Sequence, residues 1–162
     1  MMGASIEISD LKTVNGEVVG NIDVESSSLE GITIPKELIA SSIDELPLII
    51  LAASQADGKT SLRNAEELRF KESDRILSMA KMMERFNISI DEFNDGMDIH
   101  GGIIEGNTIN SFGDHRIAMT AIIASLVSDG DIAVEDCQNI DTSFPTFITI
   151  SNNMGMDIQK HD

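Results

Sequence analysis

Three short segments of the sequence place charged side chains at the expected start of an apolar helix. They read SSIDELP at 41–47, LRFKESDRI at 68–76 and FGDHRIAM at 112–119. Helix N-termini carry a partial positive charge and unpaired N–H groups, and cations added at such an end build a site for an anion. The three segments are therefore the candidates for anion binding.

The middle segment has the highest density of charge. Lys71 and Arg75 are four residues apart and share one face of a helix, and Glu72 lies three residues before Arg75. One helical turn thus offers two cations and one carboxylate. The alternative interpretation is a solvated pattern of surface pairs, each of which stabilises a helix by about 0.3 kcal/mol.

Arg116 stands apart from the other basic residues. Seven of the eleven lie between positions 59 and 85, whereas residues 86–162 contain thirteen acids and only two bases, Arg116 and Lys160. Arg116 either pairs with a neighbouring Asp at the surface, where such a pair contributes about 0–1 kcal/mol, or it binds an anionic ligand. Arginine suits bidentate binding of phosphate or carboxylate better than lysine does.

Other kinds of site find little support in the sequence. The three histidines, His100, His115 and His161, lack the i,i+4 spacing of a helical metal site, and Cys137 has no partner thiol. No Walker sequence, GxGxxG fingerprint or GxSxG elbow occurs. We therefore expect no metal and no cofactor. Asp44 and Glu45 form a possible carboxylate pair, although the helix dipole favours acids in a first turn without any function.

The composition limits the classes of partner. The net charge of −17 repels phosphodiester backbones, so we expect no nucleic-acid partner. No window supplies the roughly 18 apolar residues of a membrane span, so we expect no membrane partner. With 41% apolar residues in 162, a sizeable core is possible. The single cysteine forms no internal disulfide, which fits a reducing cytoplasm.

The hydrophobic spacing indicates which elements position these segments. It predicts helices over 44–56, 73–86 and 116–127, and a fourth helix from Pro145. Ser41 or Ser42 is expected to cap the first helix, Asp114 the third, and Thr142 or Ser143 the fourth. The predicted strands lie near 4–10, 17–24, 60–64, 88–92, 97–100, 131–136 and 155–159.

Self-comparison of the chain reveals an internal repeat. Residues 51–64 align with residues 123–136 at an offset of 72, and both read as a helix end, an Asp-Gly turn and a strand. Met-rich helix ends that run into short strands recur at 1–8, 82–90 and 153–159. We predict two repeats, about 11–92 and about 93–162, preceded at 1–10 by the tail of another. The chain is thus expected to be part of a longer protein.

In their order along the chain, SIDELPLIILAA, NAEELRFKESDRI, GDHRIAMT and NIDTSFPTF resemble the C-terminal part of the 5-enolpyruvylshikimate-3-phosphate synthases, a family of 3-phosphoshikimate 1-carboxyvinyltransferases. Lys-Glu-Ser-Asp-Arg at 71–75 and Asp-His-Arg at 114–116 are specific in combination. The resemblance implies an α/β (α+β) enolpyruvyl-transferase-like prism of βαβαββ repeats. Residues 1–162 would hold about two of the three units of a C-terminal domain, with the missing N-terminal domain as a partner.

The resemblance also implies a reaction. The family moves the enolpyruvyl group of phosphoenolpyruvate to the 5-hydroxyl of shikimate 3-phosphate by addition and elimination, releases phosphate and uses no metal. By motif position, Asp44 is implied as the base on the hydroxyl and Glu72 as the proton donor and acceptor at the methylene. Lys71 is implied as a ligand on the shikimate-phosphate side. Arg75 and Arg116 are implied as the pair that binds phosphoenolpyruvate.

Three further positions bear on this implied site. His115 is expected to form a hydrogen bond near Glu72. Many members have a lysine where this chain has Thr142, so one phosphoenolpyruvate contact is missing or is supplied elsewhere. Glu67 stands where some members have Asn, at a possible substrate contact.

Two other functions compete with this hypothesis. The sister transferase acting on UDP-N-acetylglucosamine shares the fold and the donor, although the run at 71–75 favours the shikimate enzyme. A non-catalytic, anion-binding scaffold domain would use the same charges only to cap helices. Under the leading hypothesis, the isolated chain is expected to be inactive and to self-associate through the face that its missing unit would cover.

Overall fold

The computed structural model describes residues 1–161, in which helices and short strands alternate. The α-helices are α1 (Lys36–Ile39), α2 (Leu46–Ser54), α3 (Arg75–Arg85), α4 (His115–Ala124), α5 (Asn139–Ser143) and α6 (Phe147–Asn153). The strands are β1 (Ser5–Val14), β2 (Glu17–Glu25), β3 (Leu29–Glu30), β4 (Ala56–Asp57), β5 (Lys59–Leu62), β6 (Ile90–Phe93), β7 (Gly96–His100), β8 (Ile104–Glu105), β9 (Thr108–Asn110), β10 (Ser128–Asp129) and β11 (Ala133–Glu135). The predicted α/β class is confirmed.

Helices α2, α3 and α4 pack against one another and supply much of the core. One apolar stripe of α3 is buried, because its residues recur at helical spacing and so share one face. Its members, Ile76, Met79, Ala80 and Met83, are at most 2% exposed. Burying a side chain of this size contributes about 1.5–3 kcal/mol relative to leaving it in water. This packing fixes the three helix N-termini relative to one another.

A three-stranded antiparallel sheet of order β5-β7-β6 covers one side of α3. Side chains alternate between its faces. Leu62, Met97 and Ile99 point into the core, whereas Asp98 lies on the other face with Asp91 opposite it.

Two parts of the chain contain the same pairing of two short parallel strands, and the second strands of the two pairs are 72 residues apart. Strand β4 pairs in parallel with β3, and β10 pairs in parallel with β8. The turns that follow contain Gly58 and Gly130 with φ of +84° and +94°, a conformation that glycine adopts most readily. The division of the chain into repeats stays a prediction, and the final residue of the second predicted repeat, Asp162, lies outside the described residues.

The hairpin of β1 and β2 differs from the rest of the chain in its exposure. Its turn is Asn15-Gly16, with positive φ at both residues as a two-residue hairpin requires. The pairing brings together Ile6 with Val24 and Ile8 with Ile22 on one face. These four side chains are 57–68% exposed. Strand β1 also runs through the boundary predicted between residues 10 and 11.

Several predicted boundaries are wrong. No strand forms at 155–159, because the side-chain amide of Asn152 bonds both the N–H and the C=O of Ile158, groups that a strand would pair with a neighbour. Thr142 and Ser143 do not cap the fourth helix; they lie inside α5, and the next helix begins only at Phe147. Ser41 and Ser42 belong to a 3₁₀ turn, Ala40–Ser42, that ends before α2.

The other predicted helices start and end within a few residues of the observed ones. Asp114 does cap α4, as predicted, since its side chain accepts a hydrogen bond from the N–H of Arg116 at 2.9 Å. Within residues 1–161, no helix is both long enough and apolar enough to cross a membrane.

Candidate functional site

The N-terminal ends of α2, α3 and α4 meet on one surface, and the three charged segments of the sequence meet with them. We call the side chains involved the charged cluster: Asp44, Glu45, Glu67, Lys71, Glu72, Arg75, Asp114 and Arg116. They come from parts of the chain as much as 72 residues apart. The helix packing described above is what brings them together.

Arg75 lies at the centre of the charged cluster with a side chain only 1% exposed. It is the first residue of α3 because Asp74 caps that helix, accepting a hydrogen bond from the N–H of Leu77 at 3.0 Å. The Arg75 guanidinium donates to one carboxylate from each segment. Nε donates to Asp114 at 2.8 Å, Nη1 to Asp44 at 3.0 Å and Nη2 to Glu72 at 2.6 Å.

Arg75 and Asp114 stabilise each other in the charged state. Burial alone would lower the pKa of Arg75, but the hydrogen bond and charge of Asp114 outweigh burial and raise this pKa. Burial alone would raise the pKa of Asp114, which is fully buried, yet Arg75 holds it below its usual value. The pair is therefore ionised at neutral pH. A buried charge needs such a partner, because burial without one is strongly unfavourable.

Arg116 follows Asp114 at the start of α4 and reaches towards the segment before α2. Its Nη1 donates to the main-chain oxygen of Asp44 at 2.8 Å and to the carboxylate of Glu45 at 3.0 Å. Its Nη2 lies 3.8 Å from the carboxylate of Asp44. The Arg116 side chain is 30% exposed, so part of the guanidinium faces solvent.

Lys71 approaches the same region from the loop before α3. Its Nζ lies 2.7 Å from the carboxylate of Glu67 and 3.8 Å from that of Asp44. The hydrogen bond that Lys71 donates to Glu67 is the main reason that the pKa of Lys71 is raised. Glu67 is therefore a direct neighbour of the lysine.

Asp44 is the residue that the three cations share. Arg75, Lys71 and Arg116 each have a nitrogen within 3.8 Å of its carboxylate, which is 46% exposed. The Asp44 carboxylate thus lies between three cations, in the position that a phosphate or carboxylate ligand would favour. The whole charged cluster holds three cations and five carboxylates, a formal charge of −2.

The remaining predicted residues take different positions. Glu72 is half exposed and bonds Arg75. His115 is the first residue of α4, but within residues 1–161 its imidazole forms no hydrogen bond, so the bond expected near Glu72 is absent. Thr142 is exposed in α5 and has no hydrogen bond to the charged cluster in the part of the chain described.

The sequence does not predict two members of this network. It predicts Asp114 only as a helix cap, although the same carboxylate also accepts a hydrogen bond from Arg75. It predicts no role for Ser73, whose hydroxyl donates to Asp114 at 3.1 Å. A serine inside a charged run gives no signal of such a contact, because its partner lies 41 residues away. No three His, Cys, Asp or Glu residues among 1–161 are arranged to hold a metal ion.

Comparisons with known proteins give one consistent result. A family model described as EPSP synthase (3-phosphoshikimate 1-carboxyvinyltransferase) matches residues 2–150. A 3-phosphoshikimate 1-carboxyvinyltransferase of Geobacter metallireducens is 49% identical over 150 residues, 92% of this chain and 35% of the relative. The protein of that name from Vesicomyosocius okutanii is 46% identical over 160 residues, 98% of this chain and 37% of the relative.

Solved structures agree with the sequence relatives. An EPSP synthase structure from Acinetobacter baumannii superposes with a TM-score of 0.94 at 36% identity, covering 98% of this chain and 38% of that one. The chain thus spans little more than a third of the length of the relatives that it matches.

Proposed function

This chain belongs to the EPSP synthase family, and on that premise we propose that it forms part of an active site that moves an enolpyruvyl group. The donor is phosphoenolpyruvate, the acceptor is the 5-hydroxyl of shikimate 3-phosphate, and phosphate is released. The reaction adds the hydroxyl oxygen to the enol carbon and then breaks the bond between that carbon and the phosphate oxygen.

The convergence of three cations on the Asp44 carboxylate carries this proposal. Arg75 and Arg116 come from two helix N-termini and face the same carboxylate, Arg75 at 3.0 Å from one Asp44 oxygen and Arg116 at 3.8 Å from the other. Two guanidinium groups in this arrangement suit the phosphate and the carboxylate of phosphoenolpyruvate, since each can donate two parallel hydrogen bonds. Lys71 lies beside Glu67 and would contact shikimate 3-phosphate on its phosphate side.

The two half-exposed carboxylates beside Arg75 supply the proton chemistry in this proposal. Asp44 takes the proton of the attacking hydroxyl, and Glu72 gives a proton to the methylene carbon and takes one back in the elimination. Both side chains bond Arg75 without being buried by it, at 46% and 52% exposure. They therefore remain accessible to a substrate that lies against the charged cluster.

The charge of the cluster explains why we expect no turnover from this chain alone. With a formal charge of −2, the cluster of this chain alone is expected to bind a dianion only weakly, after the Asp44 carboxylate turns away from the three cations. We propose that the rest of the enzyme supplies those cations and, by closing over the site, excludes water. A phosphate-release assay on the purified chain should give the background rate.

A titration followed by NMR tests the binding site directly. With phosphoenolpyruvate or inorganic phosphate, we expect the amide signals of Arg75 and Arg116 to shift together. Two charge-assisted contacts of about 1.5–3 kcal/mol each correspond, after the cost of association, to millimolar or weaker affinity. Shifts confined to other regions would contradict the proposal, and selective binding of UDP-N-acetylglucosamine would favour the sister transferase.

A matched pair of variants makes this titration specific. Arg116→Gln should remove most of the response. Arg63→Gln should leave it unchanged, since Arg63 is a similarly exposed arginine paired with Asp98 on the outer face of the sheet. Equal losses in the two variants would indicate nonspecific attraction of the anion.

We also propose that the chain self-associates through the apolar face of the β1–β2 hairpin. Ile6, Ile8, Ile22 and Val24 are exposed on one face of a two-stranded sheet, and such isolated hairpins are marginal in water. Sedimentation should detect oligomers of the chain. The double variant Ile8→Thr, Ile22→Thr should form fewer of them. Glu7→Gln with Asp23→Asn, on the opposite face, is the control. A monomer at every concentration would contradict this.

The cytoplasm is the proposed site of action. Cys137 is the single cysteine of the sequence and has no partner for a disulfide, which suits a reducing compartment.

A further inference from the structure

We propose that Asp114 is a positioning residue that holds both arginines of the anion site in place. The inference rests on the proposed function, because it concerns the same site. It assigns to Asp114 a task beyond capping α4, namely fixing the direction in which the Arg75 guanidinium faces and the backbone from which Arg116 extends.

The two oxygens of the Asp114 carboxylate accept hydrogen bonds from different groups. Oδ1 accepts a hydrogen bond from the N–H of Arg116 at 2.9 Å, which is the helix cap. Oδ2 accepts from Nε of Arg75 at 2.8 Å and from the hydroxyl of Ser73 at 3.1 Å. Nη2 of Arg75 also lies 3.4 Å from Oδ1. One carboxylate therefore bonds the backbone of one arginine and the side chain of the other.

The contact with Asp114 determines which edge of Arg75 is free for other groups. A guanidinium has two edges at which it can bond an anion in parallel. The edge formed by Nε and Nη2 is occupied by Asp114, so Nη1 points to Asp44 at 3.0 Å. Rotation of the guanidinium would break the bond to Asp114 inside the protein, because both groups are at most 1% exposed.

A second contact restrains Asp114 itself. The hydroxyl of Ser73 donates to Oδ2 and in turn accepts from the hydroxyl of Ser78 on α3, at 3.2 Å. The carboxylate is thus bonded from α3, from the loop before it and from α4. Groups fixed in this way lose little further freedom when a ligand binds, so ligand binding is stronger than to a mobile arginine.

Asp74 provides a matched control within the same chain. It caps α3 as Asp114 caps α4, and it also pairs with an arginine, Arg69, at 2.8 Å. Asp74 differs in being 33% exposed and in having a side chain that bonds no side chain of the charged cluster among the described residues. Asp74→Asn therefore removes an ion pair while leaving the side-chain hydrogen bonds of the charged cluster in place.

The first test needs no substitution. The exchange of the arginine Nε protons with water can be measured by ¹⁵N NMR. The Nε proton of Arg75, which is bonded to Asp114, should exchange at least about tenfold more slowly than the Nε proton of Arg116. The Arg116 side chain is 30% exposed, and its Nε has no hydrogen bond within the described residues. Equal exchange rates for the two protons would overturn the proposal, because Asp114 would then not hold the Arg75 guanidinium.

The second test compares Asp114→Asn with Asp74→Asn. Asparagine keeps the shape and caps helices well, so both variants should fold. We expect Asp114→Asn to weaken the binding of inorganic phosphate about tenfold and to speed exchange of the Arg75 Nε proton, as loss of a charge-assisted hydrogen bond predicts. Asp74→Asn should change the dissociation constant less than about twofold.

The outcomes separate this proposal from the proposed function. A folded Asp114→Asn chain with unchanged phosphate affinity overturns the positioning role, even if its melting temperature falls. If the unsubstituted chain binds no phosphate, the proposed function fails, and Asp114 is judged by the exchange rate of the Arg75 Nε proton alone. If Asp114→Asn does not fold, Asp114→Ser, which keeps the cap, takes its place with the same readouts.

Discussion

Arg69 and Arg75 are six residues apart and resemble each other in their bonding. Each donates to the aspartate that caps a helix: Arg69 to Asp74 at 2.8 Å, Arg75 to Asp114 at 2.8 Å. Each also bonds a glutamate and uses every nitrogen of its guanidinium in hydrogen bonds. A count of contacts alone would assign the two arginines the same role.

The partners of the two arginines differ in how freely they can move. Arg69 donates to the main-chain oxygens of Phe93 and Asn94, at 2.8 and 2.7 Å. Those oxygens belong to the last residue of β6 and to the turn that follows it, and they cannot move away without disrupting the β6–β7 hairpin. The outer partners of Arg75 are the side chains of Asp44 and Glu72, both about half exposed.

The mobility of its partners distinguishes a structural arginine from one that binds a ligand. An arginine held by backbone atoms connects two parts of the fold. An arginine whose outer partners are exposed side chains can exchange them for a ligand at little cost. We therefore assign Arg69 to stability and Arg75 to binding.

The largest expected effect comes from replacing these two arginines with alanine. Arg75→Ala leaves Asp114 buried without its cation, so we expect a loss of about 3–5 kcal/mol in the free energy of unfolding, together with loss of phosphate binding. Arg69→Ala removes partly exposed bonds and should cost about 1–2 kcal/mol without affecting binding. Urea unfolding and the NMR titration measure the two properties. Loss of phosphate binding in Arg69→Ala would contradict the assignment of Arg69 to stability alone.

A smaller effect is expected from acid at another cation-bound carboxylate, Asp98. Burial would raise the pKa of Asp98, but Lys59 and Arg63, whose nitrogens lie 2.9 and 2.8 Å from its carboxylate oxygens, outweigh burial and lower this pKa to about 2. The folded pKa is thus below the unfolded value of 3.8. The contribution of Asp98 to stability is therefore present above about pH 4 and is lost as the pH falls towards 2.

Unfolding measured at several pH values tests this sign. The difference in unfolding free energy between the unsubstituted chain and Asp98→Asn should shrink as the pH is lowered from 5 to 2. Asp91→Asn, which removes an exposed carboxylate opposite Asp98 on the same face, should change stability by less than about 0.5 kcal/mol. A difference for Asp98→Asn that is constant with pH would contradict the lowered pKa.

Arg116→Lys should affect binding more than stability. Lysine keeps the charge but cannot donate two parallel hydrogen bonds, so we expect phosphate binding about fivefold weaker. Stability should change by less than about 0.5 kcal/mol, because the side chain is 30% exposed. Calorimetry and the NMR titration measure these effects. Unaltered affinity would imply that Arg116 acts only as a charge.

The smallest expected effect concerns Glu67. Its carboxylate is 65% exposed and pairs with Lys71, and such pairs contribute about 0–1 kcal/mol. Glu67→Gln removes one competing anion, so phosphate should bind up to about threefold more tightly. Glu66→Gln is the matched control, because Glu66 is exposed beside it and is not bonded to Lys71. Equal gains in both variants would mean that only net charge matters.

Much of this molecule could be predicted from local sequence patterns. The helix at α3 and the cap of α4 follow from residue types and spacing, and the structure confirms both. The hairpin turn at Asn15-Gly16 carried its own signal, yet β1 was predicted four residues too short at its end. The strand predicted at 155–159 does not form, because the side-chain amide of Asn152 bonds the backbone groups of Ile158 that a neighbouring strand would otherwise bond.

The network around Arg75 could not be predicted in the same way. Its contacts join residues 31 and 39 positions apart, and these distances depend on how three helices pack. The sequence indicated which charges stand at helix starts. It did not indicate that Asp44 would lie among the three cations, or that Asp114 would serve two helices at once.

A crystal structure of the chain with phosphoenolpyruvate bound tests the central claim most directly. We expect the ligand phosphate or carboxylate to lie within hydrogen-bond distance of Nη1 of both Arg75 and Arg116, with the Asp44 carboxylate moved away from Arg75. An intact bond of 3.0 Å between Asp44 and Arg75, with the ligand bound elsewhere, would contradict the account.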